Sequence, residues 1–249
     1  MKTLEKGLEI INLLATEKRE MGVIEISKKL EINKSTVTKL LAVFLAHEYV
    51  SKSASTGKYF LGMKCVVVGE VAGNMNGIVD IAYPFMEELS RDTGETVNLA
   101  VRDGFYVYYI DIVRSHNNIA VQNAIGKREH LHGSSVGKVL LAPMPYSFLK
   151  EFAETTGLPR LYKNTITDFD ILQKELKNVL ALGFARDNEE SEEAVRCVGA
   201  PIRNHNGDVI AAMSISGITM RFTEENEKVF LDLLLAATKK ISGKFGYKG

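Results

Sequence analysis

The stretch that decides the fold runs from Asn33 to His47, NKSTVTKLLAVFLAH, and on through YVSK (49–52), SASTG (53–57) and KYFL (58–61). Val37, Leu40, Leu41, Phe44 and Leu45 recur at helical spacing, so Lys34 to about His47 is predicted as a helix with those residues inside. Asn33 suits the N-cap, because its side-chain oxygen can accept from the orphan N–H groups of the first turn. Lys34, Ser35, Thr38 and Lys39 fall on the outer face near the helix start. Two short β-prone runs then flank a small-residue turn containing Gly57, the pattern of a hairpin. Upstream, Leu4, Leu8, Ile11 and Leu14 mark a helix over residues 4–16. Ile24, Ile26 and Leu30 give a short second helix with Lys28 and Lys29 outside it, and Glu31-Ile32-Asn33 is the tight connection. Three helices followed by a hairpin is the winged helix-turn-helix order.

A helix fits the major groove of B-DNA, and residues near its N-terminus reach base edges. The short hydroxyl side chains of Ser35, Thr36 and Thr38 allow close approach, and Lys34 and Lys39 can meet phosphate or guanine. Lys52 and Lys58 on the hairpin would hold the flanking backbone. Phosphate contacts supply affinity and base-edge contacts supply choice of sequence. The competing reading is a small helical domain for protein contact. The basic bias, the short polar face and the hairpin together favour DNA.

The 249 residues carry 31 basic and 31 acidic side chains, but unevenly. Residues 1–66 hold 11 Lys/Arg against 7 Asp/Glu, and the remainder holds 20 against 24. Different partners for the two parts are the expectation. An apolar content of 45% excludes a mainly disordered chain. No apolar run approaches the ~20 residues of a membrane span. The charged first twenty residues are unlike a signal peptide. Two cysteines, Cys65 and Cys197, are too few for a disulfide framework. The cytoplasm follows as the expected location.

Residues 62–94 read as largely helical, with weak points at Gly73 and Gly77. Val66, Val67, Val68 and Val71 form an apolar run suited to packing against a second copy, or alternatively against its own domain. From Glu95 the period becomes two. Strands are predicted at Thr96–Val101, Tyr106–Val113, Ile119–Ile125, Ala200–Arg203 and Val209–Ser216. Helices are predicted at Ser134–Ala142, Phe148–Thr156, after Asp168, and from Glu224 onward. The hairpins imply a mainly antiparallel sheet with helices outside, an α+β architecture.

Several motifs are weighed and set aside. Gly133-Ser134-Ser135-Val136-Gly137-Lys138 is one residue short of a phosphate loop and continues into Val139 rather than Ser or Thr. His130 and His132 alternate along the end of a strand, a poor metal spacing, so exposed or hydrogen-bonded histidines are expected and no metal site. The acidic run from Asp187 to Glu193 reads as a solvated helix start. Cys197, among valines and Ala200, reads as core, since nothing in the sequence supplies a base for it.

Over essentially its whole length the sequence resembles the IclR-type bacterial transcription regulators. The N-terminal likeness lies in Ile26-Ser27 and in Ser35-Thr36-Val37 through Leu40-Leu41. The C-terminal likeness is carried by four ordered blocks: LHGSSVGKVLLA (131–142), GFARDNEE (183–190), VRCVGAPI (195–202) and SISG (214–217). The resemblance implies a winged helix-turn-helix DNA-binding domain over 1–62, a linker helix over 63–77 and a GAF-like effector domain over 78–249. It implies a homodimer or tetramer on double-stranded, near-palindromic operator DNA. It also implies a small effector, expected to be a carboxylate, held by Gly133, Ser134, Ser135, Val136, Asp187, Val195, Cys197, Ser214 and Ser216. Ser135 and Val136 stand where smaller residues are common in the family, which narrows the expected pocket. Asn188 replaces a frequent acid, which favours an anionic ligand. The implied function is a sequence-specific transcription regulator, most simply a repressor, with no cofactor and no enzyme activity. The alternatives are an enzyme using Cys197 or the acidic segment, and a ligand-independent dimerisation module.

Overall fold

The structure is a computed structural model that describes residues 2–74 and 77–248. It forms two compact units, divided between residues 76 and 77. In the first unit, helices α1 (Lys2–Glu17), α2 (Val23–Leu30) and α3 (Lys34–Ala46) precede strands β1 (Val50–Lys52) and β2 (Tyr59–Leu61), then helix α4 (Met63–Asn74). Ile10, Leu14, Met21, Ile26, Ile32, Val37, Leu41 and Val50 form the core, so one stripe of each helix is buried. The tight connection is made by Glu31 in the left-handed region, φ 53°, with the Ile32 N–H donating to the Ser27 carbonyl. β1 and β2 pair antiparallel, and Met21 bridges to Tyr59.

Three expectations change here. The Asn33 side chain caps nothing; its backbone carbonyl accepts from the N–H groups of Thr36 and Val37 instead. Leu45 is exposed, because Leu41 fills the buried stripe and Leu45 turns past its edge, and Leu4, Leu8 and Ile24 are exposed too, the buried stripes of α1 and α2 running through Ile10, Leu14 and Ile26. Val66, Val67 and Val68 lie exposed along α4, which excludes burial against their own domain. The side chain of Val71 lies outside the described residues.

The second unit opens with helix α5 (Ile78–Thr93), then strands β3 (Thr96–Asp103), β4 (Tyr106–Val113) and β5 (Arg128–His130). Helices α6 (Ser135–Leu141), α7 (Tyr146–Thr156) and α8 (Phe169–Leu182) follow, then strands β6 (Ala185–Asn188), β7 (Val195–Arg203) and β8 (Val209–Ile218), and finally helix α9 (Glu224–Lys244). The six strands form one antiparallel sheet in the order β5-β4-β3-β8-β7-β6. Helices α5 and α9 cover one face through Met86, Leu234 and Ile241 against Leu99, Ala200 and Met213. Helices α6, α7 and α8 cover the other through Leu140, Phe152 and Leu176 against Ala100, Val107 and Ala212. Among the described residues no helix is long and apolar enough to cross a membrane.

Two further expectations are overturned. Residues 119–125 are not a strand. The free edge of β4 is taken by β5, and the segment crosses the sheet face instead, with Ile119 and Ile125 exposed and Val121 turned in against Val195 and Cys197. The Asp187–Glu193 run is not a solvated helix start. It is the end of β6 and a turn, and Asp187 and Glu190 are buried.

Candidate functional site

In the first unit, Lys34, Ser35, Thr38 and Lys39 are all exposed at the start of α3, and Thr36 is half-buried beside them. Lys52 and Lys58 are exposed on the hairpin. Among the described residues none of these four lysines has an ion-pair partner. Lys52 lies over the Tyr59 ring, 5.4 Å from its centre. The Thr38 hydroxyl donates to the Lys34 carbonyl at 2.9 Å. Other charges of this unit neutralise one another: Arg19 pairs with Glu17 and Glu25, and Lys29 pairs with Glu17. The ridge is therefore a set of hydroxyls and amines without ion-pair partners at a helix N-terminus, where backbone N–H groups also favour a phosphate.

In the second unit, strand alternation builds the site. Side chains two apart share a face. On β8, Ala211, Met213 and Ile215 go to the α5/α9 core, which sends Ser214 and Ser216 to the α6 side. On β3, Val97 and Leu99 go to the same core, leaving Asn98 on the α6 side. Register then lines these residues up. Asp187 lies opposite Cys197, Cys197 opposite Ser216, and Ser216 opposite Thr96. The next row is Ala185, Gly199, Ser214 and Asn98. A side chain on Gly199 would stand 2.9 Å from the Ser135 backbone, so its absence lets the start of α6 settle onto the sheet. Gly137 is needed for a similar reason: a Cβ there would meet the Leu131 carbonyl oxygen at 2.2 Å. Ser134 caps α6, accepting from the Gly137 N–H at 3.2 Å.

These elements enclose a cavity of about 60 Å³. Seven of the nine residues expected around an effector line it: Ser134, Ser135, Asp187, Val195, Cys197, Ser214 and Ser216. Gly133 and Val136 do not. Gly133 faces Leu161, and Val136 is buried in the core beneath α6. The Asn188 side chain lies on the outward face of β6, so the loss of an acid there does not bear on the cavity.

The polar groups are tied together. The Asn98 amide donates to the hydroxyls of Ser214 (3.2 Å) and Ser216 (3.1 Å), and Asn123 donates to the Asn98 oxygen at 3.0 Å. Tyr109 donates to Glu129 at 2.8 Å, and Lys127 pairs with the other Glu129 oxygen at 2.6 Å. Asp187 accepts from the Glu190 N–H (2.8 Å) and the Ser191 hydroxyl (2.5 Å). Burial outweighs those bonds and pushes the Asp187 carboxyl up to about 6. Burial also pushes the Cys197 thiol well above its ordinary value, with the Asp187 charge adding to it, the opposite of an activated nucleophile. Beneath the cavity, the fully buried Lys138 holds Glu190 at 2.6 Å and Glu175 at 3.4 Å. The His132 ring is buried and hydrogen-bonded to the Pro159 carbonyl at 3.0 Å. Among the described residues no cluster of three metal-ligating side chains occurs.

Sequence reasoning missed Asn98, Tyr109, Asn123, Lys127 and Glu129. One signal was present: Asn98 is a poor β-former inside the otherwise β-prone run Thr96–Val101. Lys138, in the rejected phosphate-loop stretch, stands between Val136 and Val139-Leu140-Leu141, where a lysine is buried only if paired.

Comparison with known proteins places both units. Residues 3–54 match the family described as IclR helix-turn-helix domain, and residues 71–243 match Bacterial transcriptional regulator IclR C-terminal. The chain is 36% identical over 231 residues to the HTH-type transcriptional regulator KdgR of Escherichia coli K12, covering 93% of this chain and 88% of that one. It is 32% identical to the HTH-type transcriptional regulator XynR of the same organism, covering 99% and 98%. The crystal structure of the Thermotoga maritima IclR superposes with a TM-score of 0.83 at 34% identity, covering 99% of this chain and all of that one. A DNA-reading unit followed by an effector-binding unit is what the two halves build, and this chain belongs to the IclR family of bacterial transcriptional regulators.

Proposed function

We propose that this regulator is a cytoplasmic repressor that works as a homodimer or tetramer, reading a near-palindromic operator with the start of α3 and releasing or gripping it according to a short carboxylate held in the cavity. The observation that carries the reading is the convergence of seven residues from four separate sequence blocks on one polar cavity. At roughly 10–15 Å³ per water, that volume takes a ligand of about four to six non-hydrogen atoms. A carboxylate fits the serine hydroxyls, and Asp187 in its neutral form can donate to it. The free ridge of Lys34, Ser35, Thr36, Thr38 and Lys39, with Lys52 and Lys58 beside it, supports contact with bases and flanking phosphates. The exposed Val66, Val67 and Val68 support self-association through α4. Two-fold pairing predicts half-sites about one turn (~34 Å) or a multiple apart.

The test is a thermal-shift titration with two- to four-carbon acids, followed by operator retention with and without each acid that binds. A true effector raises Tm by mass action and shifts operator affinity, because it must favour one arrangement of the dimer. An acid that raises Tm without touching operator affinity would remove the control role. No rise across the panel would remove the cavity as the effector site.

A further inference from the structure

The lining of the cavity carries three carboxylates, Glu129, Asp187 and Glu192, against one ammonium, Lys127. Lys127 is matched by Glu129 at 2.6 Å. Glu192 is exposed, so solvent screens it. Asp187 is 1% exposed and, among the described residues, has no ion-pair partner. The Glu190 N–H and the Ser191 hydroxyl reach it without bringing charge. The other titratable groups around it are committed. Lys138 of α6 is spent on Glu190 and on Glu175 of α8, Cys197 of β7 stays a thiol, and Tyr109 of β4 donates to Glu129 of β5. Across the sheet, Asp187 and Ser216 flank Cys197, two strand spacings or roughly 10 Å apart. A carboxylate seated over Cys197 against the serines therefore lies about 5 Å from Asp187, close enough for one negative charge to keep the other from forming.

We infer that the effector enters the cavity together with one proton, which Asp187 takes up, so that the regulator answers to pH as well as to the concentration of its acid. This rests on the cavity being the site of a carboxylate effector, and the experiment separates the two claims. The acid arrives ionised, and Asp187 takes its proton from solvent. The lining gains one positive unit as the ligand brings one negative unit, so the net charge of the filled cavity equals that of the empty one. The protonated carboxyl then has a hydrogen to donate to the ligand. Burial alone lifts the Asp187 carboxyl up to about 6, so much of this proton is in place near pH 6 and little of it at pH 8. Linkage fixes the sign. The anion favours the protonated form, so raising the pH weakens binding, by up to about tenfold per pH unit above 6.

Titration calorimetry with propionate and with pyruvate is run on the full chain from pH 6 to pH 8. At pH 7.5 it is repeated in phosphate and in Tris, whose different heats of ionisation count the protons taken up. Affinity is expected to fall about fiftyfold from pH 6 to pH 8, with nearly one proton taken up per acid at pH 7.5. In Asp187→Asn the uptake vanishes and affinity varies by less than about threefold over the same range. Glu192→Gln removes the other unmatched carboxylate of the lining and keeps the uptake, so it reports even where Asp187→Asn disturbs folding. Binding without uptake, at an affinity indifferent to pH, overturns the inference and leaves the effector cavity standing. So does uptake retained in folded Asp187→Asn, or lost in Glu192→Gln. Failure of both acids to bind even at pH 6 overturns both claims.

Discussion

The ridge on α3 and the cavity beneath α6 are both polar, yet they are built on opposite plans. Lys34, Ser35, Thr38 and Lys39 stand in solvent with their charges unpaired among the described residues. Asn98, Asp187, Ser214 and Ser216 are buried, each tied to a neighbour. A surface that must meet a polyanion keeps its donors free, and solvent screens them until it arrives. A closed site has no such solvent, so every unpartnered group there costs stability. Altering the ridge should change binding and leave folding alone. Altering the cavity and its supports should change folding first.

The sharpest way to break that contrast is Lys138→Met. Lys138 is 1% exposed and holds the buried Glu190 and the half-buried Glu175, so its loss leaves a buried carboxylate without a counter-charge. Urea unfolding should show a loss of about 3–5 kcal/mol. A double variant Lys138→Met, Glu190→Leu should recover part of it. A loss below about 1 kcal/mol would mean that the pair is no more than a surface ion pair.

Asp187→Asn is expected to act in the other direction. Its carboxyl is pushed from 3.8 up to about 6. A raised folded-state value means that the native chain binds a proton more tightly than the unfolded one. The favourable contribution is complete below about pH 4 and is lost as pH rises through about 6. Near pH 7 the ionised, buried carboxylate then costs about 3 kcal/mol at most. An amide can still accept from the Glu190 N–H. Unfolding of Asp187→Asn at pH 7.5 should show a gain approaching that figure and a flatter stability profile between pH 4 and 7. An unchanged profile would place the titration elsewhere.

The same contrast governs what was legible beforehand. The first unit was readable because its proposed recognition residues lie within six positions on one helix, where a 3.6 period assigns inside and outside; the Asn33 cap and the exposed Leu4, Leu8, Ile24 and Leu45, at the edges of their stripes, escaped. The cavity draws on β4, β5, β6, β7, β8, the start of α6 and the 114–127 crossing, with Asn98 of β3 holding its serines. Its register is a long-range fact that no local period encodes. The resemblance carried over the wall built from the four blocks. It could not supply Tyr109 and Glu129, which sit outside them, nor show that Val136 turns into the core. Residues 119–125 had the composition of a strand and were denied a sheet edge by β5.

On the ridge, Lys39→Ala should leave Tm unchanged and weaken operator binding. If Lys39 meets a phosphate, the slope of log K against log salt falls by about one unit. An unchanged slope removes Lys39 from that role, and a fall in Tm would break the claim that the ridge is decoupled from folding.

The smallest effect is the most diagnostic. Thr38 donates its hydroxyl back to the Lys34 carbonyl in solvent, an arrangement that does little for a helix and tends to bend it. Alanine is also the better helix former. Thr38→Ala should therefore leave stability unchanged or raise it by a few tenths of a kcal/mol. If the hydroxyl or methyl of Thr38 meets a base edge, the same substitution should shift the ranking of operator variants by about 1 kcal/mol at the contacted position and not elsewhere. A uniform loss on every operator would assign Thr38 to the phosphate backbone. A loss of stability would show that the back-bond matters to the fold, and the ridge would then resemble the cavity after all.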